Sequence, residues 1–138
     1  MTVVTISKLD AASRQLDSAI RMLFTGGDAV SIHTLTASAA NVFFDVAEKR
    51  NGAVSWRAWM AEDSNLTQRE VKGTLHKSWN FFKHADHDPE GILDFDPRES
   101  EDLMFMAVLQ CGDLGRPTTH AMQVFQLWPR WCSHTPAG

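Results

Sequence analysis

The stretch Ser31-Ile32-His33-Thr34-Leu35-Thr36-Ala37-Ser38-Ala39-Ala40-Asn41-Val42-Phe43-Phe44-Asp45-Val46-Ala47-Glu48-Lys49-Arg50-Asn51-Gly52 decides the fold. Ile32, Leu35, Ala39, Val42, Phe43 and Val46 recur at helical spacing and form one apolar stripe. Ala37, Ala40, Phe44 and Ala47 form a second stripe on another side. A helix with two apolar faces packs against neighbours on both, so this segment is expected to be a central helix, capped by Ser31 or Asp28 and stopped by Asn51-Gly52.

The flanking segments carry the same kind of signal. Ser7 can cap a first helix to about Phe24, with Leu9, Ala12, Leu16, Ile20 and Leu23 on one face and Gly26-Gly27 as its end. Thr67-Gln68-Arg69-Glu70 reads as a capping box. The helix that it opens carries Val71, Leu75, Trp79 and Phe82 and is expected to end near Ala85, before Asp88-Pro89. Asp96-Pro97-Arg98-Glu99 is a further start, with Asp96 as cap and Pro97 at the first helical position. The apolar run Leu103 to Leu109 follows, closed by Gly112 and Gly115. Pro117 is expected to open a last helix through Ala121, Val124, Phe125 and Trp128, with Pro129 kinking or ending it. Val54 to Met60, with Trp56 and Trp59, fits either a short helical turn or an ordered loop. No alternating run of β-branched residues argues for a strand. The expected fold is all-α: a five- to six-helix up-and-down bundle forming one domain over residues 1–138, frayed at 1–6 and 133–138.

Composition narrows the function classes. A chain of 138 residues with 43% hydrophobic and 22% charged residues can bury a core without staples. A net charge of -4 gives no global attraction to nucleic acid or anionic lipid, so any nucleic-acid contact has to be local. Cys111 and Cys132 form no CxxC pair and read as buried thiols. The first residues lack the features of a secretion signal, and no window reaches the length of an apolar membrane span, so a cytoplasmic protein is expected. No cofactor motif is present, and none is expected to bind.

Chemistry concentrates in His76-Lys77-Ser78-Trp79-Asn80-Phe81-Phe82-Lys83-His84-Ala85-Asp86-His87-Asp88, which holds three of the six histidines. On a helix His76, Asn80 and His84 share one face, and Leu75, Trp79 and Phe82 turn toward the core. Protonated histidine at a helix C-terminus is itself stabilising, by about 0.3–1 kcal/mol where exposed, so capping alone accounts for His84 as well as a functional role does. His33 reads as a core or capping histidine, and His120 and His134 as peripheral. Trp79 and Trp128 are expected in the core.

With Asn80 four positions ahead of His84 near a helix end, the chain resembles the HEPN superfamily of small prokaryotic helical domains. That family is marked by an arginine, a polar residue and a histidine four positions further on. The resemblance implies a homodimer that binds RNA or a protein partner in bacterial stress or defence, with Asn80 and His84 in the site and Lys83 or Lys77 as a nearby cation. Trp79 stands where the family has arginine, which counts against nuclease activity. Internal RNA cleavage needs a base for the 2′-hydroxyl proton and a cation for the phosphorane, roles that His84 and a lysine would take.

Two alternatives stand beside this reading. One is a non-enzymatic helical dimerisation or interaction module, favoured by the missing arginine and the acidic balance. The other is a metal-binding bundle that uses the His84 to Asp88 cluster, with His76 or His33, for zinc, manganese or iron. Neither HExxH nor the paired Glu-x-x-His set of di-iron bundles is present, and no metal ligand is assigned.

Overall fold

The computed structural model describes residues 2–128, and among these every regular element is helical. The order is α1 (Lys8–Phe24), α2 (Ala29–Lys49), α3 (Trp56–Asp63), α4 (Gln68–Lys83), α5 (Arg98–Asp113) and α6 (His120–Gln126). No helix is long and apolar enough to cross a membrane among the described residues. Pro129, Cys132 and His134 lie outside the described residues, as does the segment 133–138 expected to fray.

Helix starts follow cap chemistry. The Ser7 hydroxyl accepts the Asp10 amide at 3.0 Å, and Asp28, rather than Ser31, caps α2 by accepting the Ser31 amide at 2.9 Å. The Thr67–Glu70 capping box is formed in both directions. Two starts differ from expectation. Helix α5 begins at Arg98, with Pro97 in the preceding turn, because the Asp96 carboxylate accepts the Arg98 amide at 3.0 Å and the Asp96 carbonyl accepts that of Glu99. Helix α6 begins after Thr119, not at Pro117, because the Thr119 hydroxyl supplies the cap that a proline lacks, accepting the Met122 amide at 3.2 Å. Gly112 lies inside α5, and the chain turns at Gly115, whose φ of 77° is costly for any residue with a Cβ.

Helix α2 is central, as its two stripes require. It packs against α1 on one side and α5 on another, with α4 and α3 also against it, while α6 lies on α1 and α3 on α4. Phe43 and Phe44 are both fully buried, and each belongs to a different stripe. Leu16, Ile20, Met104, Met122 and Phe125 close the core around them. Trp79 and Trp128 are partly buried against it. Cys111 is buried, and burial raises the pKa of its thiol, so it behaves as a small apolar group.

Segment 54–60 resolves into helix. Ser55 caps α3, and buried Gln110 of α5 clamps its approach, donating to the Val54 carbonyl at 2.9 Å and accepting the Trp56 amide at 2.8 Å. The Trp56 indole donates to Asp113 at 2.7 Å. An eight-residue helix is too short to stand alone, and these contacts with α5 stabilise it.

Candidate functional site

Helix α4 carries the polar stripe anticipated from sequence. Asn80 and His84 are both exposed, and the His84 amide donates to the Asn80 carbonyl at 3.1 Å across the last turn. His84 is the C-cap and has left helical angles, at φ -131° and ψ 134°, which directs the chain away from the helix axis. The loop then folds back, with the Gly91 amide donating to the Asp88 carbonyl at 2.9 Å. Between the last two turns of α4 and this loop lies an open groove of about 530 Å³. Asn80 and His84 line it together with Lys77, Phe81, Asp86, His87 and Asp88. Lys77 and Phe81 form the stripe beside Asn80 and His84, offset by one turn from each other.

Lys83 and His76 stand apart from that lining. The Lys83 ammonium lies 3.3 Å from the centre of the Trp79 ring, a cation–π geometry. The His76 ring meets the same indole edge-on at 5.1 Å. Trp79, at the position of the expected arginine, thus packs partly into the core and holds a histidine and a lysine against its ring. Burial lowers the pKa of His76, and the nearby cations Arg57, Lys72 and Lys83 lower it further.

Among the described residues no group of three or more His, Cys, Asp or Glu side chains is placed to hold a metal ion. In the His84 to Asp88 cluster the one close pair is His87 and Asp86, at 3.3 Å, with both side chains largely exposed. His33 and His76 are not among the residues that line the groove beside it: His33 lines a separate cleft, and the His76 ring packs on Trp79.

Sequence reading missed two buried polar centres, one joining α3 to α2 and the other joining α4 and α5 to α2. Arg57 of α3 is 1% exposed. Its guanidinium bonds Asn41 at 3.0 Å, Asp45 at 2.5 Å and Glu48 at 2.6 Å, and lies 5.4 Å from the Phe44 ring centre. The three acceptors recur at one- and two-turn spacing on α2, a polar stripe on an otherwise apolar helix, and that was the available signal. The second centre joins three helices. Ser78 of α4 donates to Glu99 at 2.8 Å, and His33 Nδ1 and the Ser100 hydroxyl share a hydrogen bond of 2.8 Å. His33 is fully buried, as expected of a core histidine, but its Nε2 has no partner. His120 is exposed at the start of α6.

Comparison with known proteins finds no matching family model, no similar curated protein and no similar solved structure.

Proposed function

We propose that the chain is a HEPN-like domain, an up-and-down bundle of the cytoplasm, that binds single-stranded RNA in the groove at the end of α4 without cleaving it. The observation that carries this reading is that Asn80 and His84, one turn apart, face a common groove of about 530 Å³. An asparagine amide offers donors and an acceptor to a base edge or a ribose hydroxyl, and the imidazole adds one of each. Phe81 provides a ring on which a base can stack, a contact worth about 1–3 kcal/mol. Lys77 supplies the groove's own ammonium. Cleavage would need a cation beside His84, yet Trp79 occupies the arginine position, the Lys83 ammonium rests on the Trp79 ring, and Lys77 lies two turns back along α4.

The balance of charge in the groove sets the form of the binding. Asp86 and Asp88 face Lys77, so stacking and hydrogen bonds contribute more than phosphate neutralisation. A single phosphate contact gives a salt slope of about -0.7 for a single strand. Fluorescence anisotropy with a labelled mixed-sequence oligoribonucleotide tests the proposal. Asn80→Ala and His84→Ala are expected to weaken binding about five- to tenfold each, in keeping with one lost hydrogen bond, and to leave the oligonucleotide intact on gels. Unchanged affinity in both variants would reject the reading, and cleavage abolished by His84→Ala would reject its non-catalytic form.

A second reading, a helical dimerisation or interaction module, draws on a different surface. Trp59 of α3 is 50% exposed and edge-on to Trp56, with Val54 exposed beside them. Such a patch suits a homodimer seam. Light scattering decides between the states: a dimer that dissociates in Trp59→Glu supports the module, and a wild-type monomer at all concentrations opposes it.

A further inference from the structure

A second cleft, of about 230 Å³, opens where α3, α4 and α5 meet above α2. It shares no lining residue with the groove at the end of α4. Met60, Leu75, Leu103 and Met106 give it a mostly apolar wall, and the polar exceptions include His33, Glu99 and Asp102. Thr74, also in the wall, donates its hydroxyl to the Glu70 carbonyl of its own helix at 3.0 Å.

His33 is the unusual member. The Ser100 hydroxyl engages its Nδ1, and the edges of Phe82 and Phe95 fix its ring, with centroids 5.8 and 5.1 Å away. Its Nε2 is buried and lacks a partner. Native folds seldom leave a buried ring nitrogen unsatisfied, and one beside a cleft points to a bound group that completes it. Burial lowers the pKa of this histidine, with the Glu99 charge opposing the shift; in the neutral ring, where Nδ1 donates to Ser100, Nε2 presents a bare lone pair. Glu99 and Asp102 stand one turn apart on α5, and the Ser78 hydroxyl, donating at 2.8 Å, orients the Glu99 carboxylate.

We propose that this cleft binds a small organic amine, with its ammonium group beside the Glu99 and Asp102 carboxylates and the His33 ring, and its hydrocarbon body against Met60, Leu75, Leu103 and Met106. An ammonium has three donors and no acceptor, which matches acceptors drawn from two carboxylates and an imidazole lone pair. Benzene occupies a cavity of about 150 Å³, so 230 Å³ accommodates one ring with a two- or three-atom amine tail. The two methionines can adapt their unbranched side chains to such a body.

The test titrates 2-phenylethylammonium chloride into the full chain at neutral pH, with 2-phenylethanol and 3-phenylpropionate as neutral and anionic comparators. Calorimetry and amide shifts in two-dimensional NMR report the binding. The ammonium is expected to bind at one site with a dissociation constant on the order of 1 mM or tighter. The alcohol and the carboxylate are expected to bind at least about tenfold more weakly, as charge-assisted contacts require. Glu99→Gln, which keeps an acceptor for Ser78, and the exposed Asp102→Asn each weaken the ammonium by about tenfold, and His84→Ala leaves it unchanged. Absence of saturable binding, as in a cleft that holds only water, overturns the proposal. Equal binding of the three compounds, or full affinity in both carboxylate variants, overturns it as well.

Discussion

Replacing Arg57 with alanine tests whether the buried guanidinium joins α3 to α2 or merely fills space. The side chain is almost wholly buried and bonds Asn41, Asp45 and Glu48. Removing one partner from a buried ion pair costs about 3–5 kcal/mol, because the remaining charges lose their compensation. Here the acceptors can recover water, since the Asp45 side chain is 50% exposed and that of Glu48 is 21% exposed. The loss therefore falls at the low end, about 3 kcal/mol, including the packing of the stem against Phe44. That is a large share of the roughly 5–15 kcal/mol of a typical domain and corresponds to a fall in melting temperature of roughly 10 °C at this chain length. Arg57→Lys keeps a charge but cannot span three acceptors, so it recovers only part of the loss. Urea and thermal unfolding measure the change, and a double-mutant cycle with Glu48→Gln isolates the coupling. A second readout is the His76 ring in NMR, whose titration moves up in Arg57→Met because one of the cations that hold it down is gone. A loss under about 1 kcal/mol, the level of an exposed pair, with no coupling to Glu48, would refute the assignment of a buried anchor.

Acid provides a second perturbation, because burial lowers the pKa of both His33 and His76, with Glu99 opposing the shift at His33. Each group's folded pKa lies below its unfolded value of about 6.5, so the stability from the neutral ring is complete above that value and declines as pH falls through it toward the folded pKa. The urea midpoint is expected to drop between pH 7.5 and 5.5, less steeply in His33→Gln; a midpoint that holds or rises over this range contradicts the shifts. Gly73 lies within α4 with open space around it, so Gly73→Ala is expected to stabilise by about 0.5–1 kcal/mol. Gly115→Ala, at a φ of 77°, is expected to cost roughly 1 kcal/mol, and melting curves of the two variants check the opposite signs. Thr67→Ala removes the cap of α4 and is expected to cost about 1 kcal/mol, with hydrogen exchange faster at the amides of Gln68 to Val71 than elsewhere.

What was legible in the sequence was what neighbours along the chain decide. The caps at Ser7 and Thr67 act within three residues, and the two stripes of α2 repeat every turn, so local chemistry alone placed α1, α2 and α4 and made α2 central. Segment 54–60 was undecided for a physical reason. Its helix depends on Gln110 and Asp113, which are over fifty positions away in the chain and bond Val54 and Trp56 only after α5 has packed. The starts of α5 and α6 moved by one to three residues because a side-chain oxygen, from Asp96 or Thr119, decides where the first amides are satisfied.

The candidate site divides along the same line. Asn80 and His84 share a face by helical geometry alone, so their meeting in one groove follows from spacing. Lys83 had the right distance in sequence and a different destination, because the Trp79 ring lies one turn back and attracts its ammonium. Trp79 therefore matters beyond the absence of arginine: it holds the ammonium of Lys83, the residue before His84, on its own ring. Substituting arginine there would add a guanidinium on the same helix and free Lys83 from the indole. If His84 lacks only a cation partner, Trp79→Arg should introduce RNA cleavage that a further His84→Ala abolishes. Cleavage in the Trp79→Arg protein that survives loss of His84 would mean that the imidazole was never the base.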